Sequence, residues 1–183
     1  MQHFNYYIHG ISGSGKTMLL IKWLTQMTNK YGIQFPYTGN KYTPVINLRN
    51  NMSLLRKLGG WKNKKIGIFD YFDSSSEHMK LGRLQKAFQN NMLVIITSLH
   101  PIYNQTPKIK ELLSKYNFID LDLDSRLYTG ENIDQCSDRL LNCMELTDLH
   151  FEKEKYFSFP FNFEQSYAGF KNEMKRLKRC NRI

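Results

Sequence analysis

The chain has 183 residues, of which 41% are hydrophobic and 14% aromatic; that is enough apolar side chain for a folded core and too much for a disordered polymer. Lysine and arginine number 26 against 16 acids, a net charge of +10, which points to a polyanionic partner, nucleic acid before membrane surface. Cys136, Cys143 and Cys180 form no Cys-x-x-Cys pair, which argues against a disulfide framework or a zinc site and fits a reducing compartment, cytoplasmic or nuclear.

In chain order, residues 4–9 predict a short strand running into Gly10-Ile11-Ser12-Gly13-Ser14-Gly15-Lys16-Thr17. From Thr17 to about residue 29 the spacing of Leu19, Leu20, Trp23 and Leu24 predicts a helix. A polar stretch over 34–42 precedes a second strand at 43–48 and a short helix at 52–58, ended by Gly59-Gly60. Residues 65–70 predict a third strand and 77–89 a helix. Residues 92–97 are a continuous apolar run, the pattern of a strand buried on both faces. A helix at 108–115, a fifth strand at 118–123 and a helix at 133–144 follow. Phe157, Phe159 and Phe161 alternate, predicting an extended segment at 156–161, and 163–178 predicts a last helix. Strands alternating with helices predict an α/β fold, a parallel sheet flanked by helices, in one domain over 1–183. No apolar run reaches the ~20 residues that span a bilayer, so no transmembrane segment is expected, and the first strand starts too early to leave room for a signal peptide.

Residues 10–17 match G-x-x-x-x-G-K-[ST] at every fixed position. Gly10, Gly13 and Gly15, with Ser12 and Ser14 between them, let consecutive N–H groups wrap one anion. The following helix adds the partial positive charge of its N-terminus. Lys16 is expected to reach the β- and γ-phosphates of ATP, and the Thr17 hydroxyl to ligate Mg²⁺. Asp70 closes the third strand and supplies the second Mg²⁺ ligand. Many ATPases place a glutamate directly after that aspartate; here Tyr71 stands there. The nearest acids, Asp73 and Glu77, are candidates to orient the attacking water, and both also suit the cap of the next helix. Asp120, Asp122 and Asp124 alternate and are expected to share one face of the fifth strand, meeting solvent or basic side chains more readily than a metal.

Near the C-terminus, Tyr167, Phe170, Met174 and Leu177 form an apolar stripe. Lys171, Lys175, Lys178 and Arg182 repeat the same spacing one residue on and, with Arg176 and Arg179, make the densest basic patch, the expected nucleic-acid contact. Lys62, Lys64 and Lys65 form a second cluster.

The loop, Asp70 and the five strands together resemble the additional-strand branch of P-loop ATPases over residues 4–126, leaving 127–183 as a C-terminal extension. The resemblance implies the sheet order 5-1-4-3-2, ATP and Mg²⁺ as ligands, hydrolysis, and a homo-oligomer. It also implies that Thr97 or Ser98, at the end of the fourth strand, senses the γ-phosphate. Arg126 becomes a candidate arginine finger for a neighbouring subunit, with Arg83 and Arg139 as competitors. Val94-Ile95-Ile96-Thr97-Ser98 followed by His100-Pro101 looks like the AAA+ helicase-loader type. Gly82-Arg83 and Asp124-Ser125-Arg126 look like the FtsK/HerA-type DNA-packaging and translocating ATPases, although the glutamine those pumps carry at the end of the fourth strand is missing here. Viral or mobile-element DNA translocation, packaging or replication is the function these likenesses imply. A nucleotide kinase is disfavoured by the lack of arginine between Leu99 and Gln105, and a GTPase by the lack of Asn-Lys-x-Asp after the third strand. Tyr71 leaves a non-hydrolysing nucleotide switch open.

Overall fold

Five parallel strands carry the fold: β1 (Asn5–His9), β2 (Val45–Asn47), β3 (Ile66–Phe69), β4 (Leu93–Ser98) and β5 (Phe118–Asp122). The computed structural model describes residues 4–37, 39 and 43–144, all within the compact unit Met1–His150. The strands lie in the order β2-β3-β4-β1-β5, the expected 5-1-4-3-2 read from the other edge. Every pairing is parallel, so the strand C-termini share one edge; Ile8 lies beside Thr97 and His9 beside Asp122.

The helices are α1 (Lys16–Tyr31), α2 (Met52–Lys57), α3 (Glu77–Gln89), α4 (Pro107–Ser114), α5 (Arg126–Thr129) and α6 (Ile133–Cys143). Side chains alternate across a strand, and the core divides accordingly. Tyr7, Phe69, Val94 and Ile96 pack with Leu55 of α2 and Leu84 of α3. Tyr6 turns the other way and meets Trp23 of α1 at 6.2 Å between ring centroids. α1 buries Leu19, Leu20, Trp23, Leu24 and Met27, each worth about 1.5–3 kcal/mol in apolar transfer. It stops at Gly32, whose left-handed backbone (φ 61) lets its N–H donate to the Thr28 carbonyl.

Among the described residues, element boundaries agree with the expected ones to within two residues. β2 is shorter than expected because Pro44 has no N–H for the ladder; its carbonyl instead accepts from the Lys65 and Ile66 N–H groups at 2.7 and 3.0 Å. Short 3₁₀ turns at Phe72–Ser74, Ile102–Asn104 and Leu123–Ser125, together with α5, were not legible in the sequence, since three or four residues are too few to show a period. The expected elements at 156–161 and 163–178 lie outside the described residues. Among the described residues no helix is long and apolar enough to cross a membrane.

Candidate functional site

The loop over residues 10–17 joins β1 to α1 at the C-terminal edge of the sheet, where ligands of open α/β sheets bind. Three glycines are demanded by its shape, Gly10 because a Cβ there would lie 2.7 Å from Ser14 Oγ. Gly13 has φ 78 and Gly15 φ 99, and a Cβ on Gly15 would come within 2.6 Å of Ile133 Cγ2 on α6. Gly15 is also the N-cap of α1, with no side-chain capping bond, so the first-turn N–H groups point out of the helix as donors for an anion. Lys16 Nζ donates to the carbonyls of Gly10 (2.5 Å) and Ile11 (2.8 Å) and approaches Ser14 Oγ at 3.3 Å. Burial lowers the Lys16 pKa, opposed by the carboxylates of Asp124, Asp73 and Asp70. Ser14 is fully buried beneath the loop and Ser12 is exposed. Thr17 occupies the first turn of α1, half-buried.

Two carboxylates after β3 are each held by a residue at the end of β4. Thr97 Oγ1 donates to Asp70 Oδ1 and accepts from the Tyr71 N–H at 3.0 Å. Burial lifts the Asp70 carboxyl above its ordinary range, against the pull of Thr97, the Tyr71 N–H and Lys16. Ser98 Oγ lies 3.0 and 2.9 Å from the two oxygens of Asp73, which also accepts from the Leu99 N–H (2.6 Å) and from Gln105 Nε2 (3.3 Å). Burial alone would raise the Asp73 pKa; these bonds, with Lys80 nearby, outweigh it and hold the carboxyl below its ordinary range. Gln105 Nε2 also donates to the Tyr7 hydroxyl (2.9 Å), which donates to the His100 carbonyl (3.0 Å). Burial pushes the Tyr7 phenol well above its usual pKa. One polar network thus ties β1, the turn after β3 and the loop after β4.

Tyr71 occupies the place directly after Asp70. It is a non-glycine residue in the left-handed region (φ 50), 60% exposed, with the Arg49 guanidinium 5.7 Å from its ring centroid. That conformation costs about 1–2 kcal/mol.

The other expected site residues fall elsewhere. Glu77 opens α3, which Ser76 caps, and its carboxylate lies 3.9 Å from Lys108 Nζ with no bond to the Asp70–Asp73 network. Arg126 opens α5; its Nε is buried without a hydrogen-bond partner among the described residues. Arg139 is engaged with Glu131 (2.8 Å) and Ser125 Oγ (3.0 Å). The expected shared face of Asp120, Asp122 and Asp124 is corrected by the structure. β5 ends at Asp122, whose Oδ1 accepts from the Asp124 N–H (2.8 Å) and tightens the chain into the Leu123–Ser125 turn, breaking the alternation. Asp120 and Asp122 flank His9, at 3.2 Å from Nε2 and 3.6 Å from Nδ1. Asp124 instead faces the glycine loop, with both oxygens 3.0 Å from the Ile11 nitrogen. The basic positions Lys171, Lys175, Lys178, Arg179 and Arg182 lie outside the described residues.

Sequence reasoning missed Tyr7, His9 and Gln105. Tyr7 hides in an apolar strand, and Gln105 stands seven residues beyond Ser98 with no motif to mark it. Asp124 was visible as part of Asp-Ser-Arg, but its contact with the loop was not.

No protein-family model and no curated protein sequence matches this chain. Among solved structures it is similar to AMPPCP-bound DnaA from Aquifex aeolicus, at 16% identity and a TM-score of 0.45, over 98% of this chain and 59% of that one. This chain thus spans less than two thirds of that DnaA chain, and a likeness this slight carries nothing about activity. Strand order, parallel pairing of neighbouring strands and a glycine loop between β1 and α1 define the architecture, an α/β fold with a five-stranded parallel sheet flanked by helices.

Proposed function

We propose that this chain binds ATP through residues 10–17 and hydrolyses it to drive nucleic-acid handling. The observation that supports this most is the juxtaposition at one sheet edge of the glycine loop, Lys16 and the Asp70–Thr97 pair. The loop N–H groups and the α1 N-terminus bind the phosphates. The Lys16 ammonium exchanges the Gly10 and Ile11 carbonyls for phosphate oxygens, a move a long flexible side chain makes at little cost. Thr17 and Asp70 carry the oxygen donors that suit Mg²⁺, a hard cation that takes one or two protein oxygens and keeps its other sites for phosphate and water. Bound Mg²⁺ would neutralise charge on the β- and γ-oxygens. Asp73 acts from the same edge. Its carboxylate, fixed by Ser98, the Leu99 N–H and Gln105 and held below its ordinary pKa range, suits orienting a water better than taking its proton.

That same observation supports a second reading, a nucleotide-dependent switch that binds without efficient turnover, because Tyr71 leaves no free carboxylate next to Asp70. Phosphate release from ATP by the wild type and by Lys16→Ala, with Mg²⁺ or EDTA and with or without duplex DNA, separates the two. Mg²⁺-dependent turnover, raised by DNA and lost in Lys16→Ala, supports the ATPase. Tight nucleotide binding with no turnover supports the switch. No nucleotide binding overturns both.

A further inference from the structure

The positive charge of this chain is distributed one-sidedly. Residues 1–69 contain ten lysines and arginines and no aspartate or glutamate; residues 70–183 contain sixteen of each. The whole net charge of +10 therefore resides in the first 69 residues, and the C-terminal basic stripe belongs to a balanced remainder.

Within those 69 residues, several cations are already engaged. Lys16 bonds its own loop, Lys22 pairs with Asp138 at 2.7 Å, and Lys64 is buried with Nζ on the Thr43 carbonyl at 2.6 Å. Arg49, Arg56, Lys57, Lys62 and Lys65 are all exposed, and none has a carboxylate in ion-pair distance among the described residues. All five fall on residues 49–65, the segment that leaves edge strand β2, runs through α2 and enters β3. The segment is held in place from α3. The Arg83 guanidinium donates to the Asn50 carbonyl at 3.1 Å, lies against Met52 Sδ and sits 6.0 Å from the Trp61 ring centroid.

Five unpaired cations on one short segment repel each other, and the surface is stabilised by a partner carrying closely spaced negative charge. We infer that the α2 edge, Arg49 to Lys65, is the surface that holds the phosphate backbone of a nucleic acid. This rests on the nucleic-acid half of the function proposed above and moves the contact from the C-terminal stripe to α2. An anionic membrane fits less well. α2 has six residues with Leu55 already buried in the core, too little for a helix that lies in a bilayer surface. Arg49 also reaches the Tyr71 ring, so the track ends at the residue beside Asp70, where bound nucleic acid would touch the site.

The test uses the full chain and fluorescence anisotropy with labelled duplex DNA, single-stranded DNA and RNA across a salt series. R56E/K57E/K62E/K65E is compared with the wild type, with the milder glutamine version at the same positions, and with K171E/K175E/K178E/R179E. Thermal midpoints check that each variant folds. Nucleotide affinity is measured in parallel, with Lys16→Ala as its control. The α2 variant is expected to lose at least tenfold in affinity for nucleic acid and to lower the salt slope by roughly 3–4, with nucleotide affinity unchanged. The glutamine version should lose less, in the same direction. A folded α2 variant that loses less than tenfold overturns the inference, as does a wild type that binds anionic vesicles and no nucleic acid. Retained nucleotide binding in that case leaves the nucleotide site standing. DNA binding that depends on α2 in a chain with no nucleotide affinity supports the inference and sinks the ATPase reading.

Discussion

Thr97 Oγ1 donates to Asp70 Oδ1 while accepting the Tyr71 N–H, so one hydroxyl on β4 orients the carboxylate that ends β3 and pins the strained residue after it. The pair is buried, at 1% and 4% exposure, and water cannot replace the bond between them. Thr97→Val keeps the shape and removes both. It should cost about 1–3 kcal/mol, the penalty for leaving buried polar groups unmade, while Thr97→Ser should cost less than about 1 kcal/mol. Urea denaturation measures the difference, and equal costs for the two variants would rule out the hydroxyl's role. Turnover should fall at least tenfold in Thr97→Val if Asp70 must keep this orientation.

Gln105 joins Asp73 to Tyr7. Gln105→Leu leaves Asp73 its Ser98 and Leu99 partners and leaves the Tyr7 hydroxyl its bond to the His100 carbonyl. The expected stability loss is therefore modest, about 1 kcal/mol. Turnover should fall more than nucleotide affinity, because Asp73 loses its link through Gln105 to Tyr7 on β1. A double-mutant cycle with Tyr7→Phe should show a coupling of about 0.5–1 kcal/mol; additive losses would mean that the two side chains do not act together.

Asp124 places a carboxylate on the loop that is to receive phosphate. Asp124→Asn keeps one acceptor for the Ile11 N–H and removes the charge. Like charges repel, so triphosphate affinity should rise by roughly two- to fivefold at low ionic strength, and the gain should shrink in 0.5 M salt as in ~3–4 Å screening. Isothermal titration at two salt concentrations checks both parts. An affinity that falls would show that the bond to Ile11 matters more than the charge.

His9 is a pH-dependent strut. Burial works to lower its pKa, and the bond to Asp120, with Asp122 and Asp124 adding charge, raises it above the ordinary 6.5. A raised folded value means that protonation favours the folded state. Its contribution is fully present below pH 6.5 and is lost as pH climbs through the higher folded value. Asp120 is 42% exposed, so solvent screens much of the pair. His9→Gln should lower the thermal midpoint by roughly 2–4 °C at pH 5.5 and by less at pH 9. An equal drop at both would assign His9 to packing alone.

Much of this protein is decided locally and was open to reading. Residues 10–17 carry their own conformation, because glycines at 13 and 15 permit the left-handed backbone that the loop takes. Apolar runs at 66–69 and 92–97 demand burial on both faces, hence a parallel sheet between helices. Asp70 is marked by its position at the end of such a run. The tertiary structure alone decided which carboxylate meets which hydroxyl. Asp70 and Thr97 are 27 residues apart, Tyr7 and Gln105 are 98, and Ile11 and Asp124 are 113. The first pair exists because β3 lies beside β4, and the other two because β1 lies between β4 and β5, so that strand ends distant in sequence meet at one edge. Side-chain hydrogen bonds reach only about 3 Å, so a sequence can announce the donors and acceptors, while the fold chooses the partners.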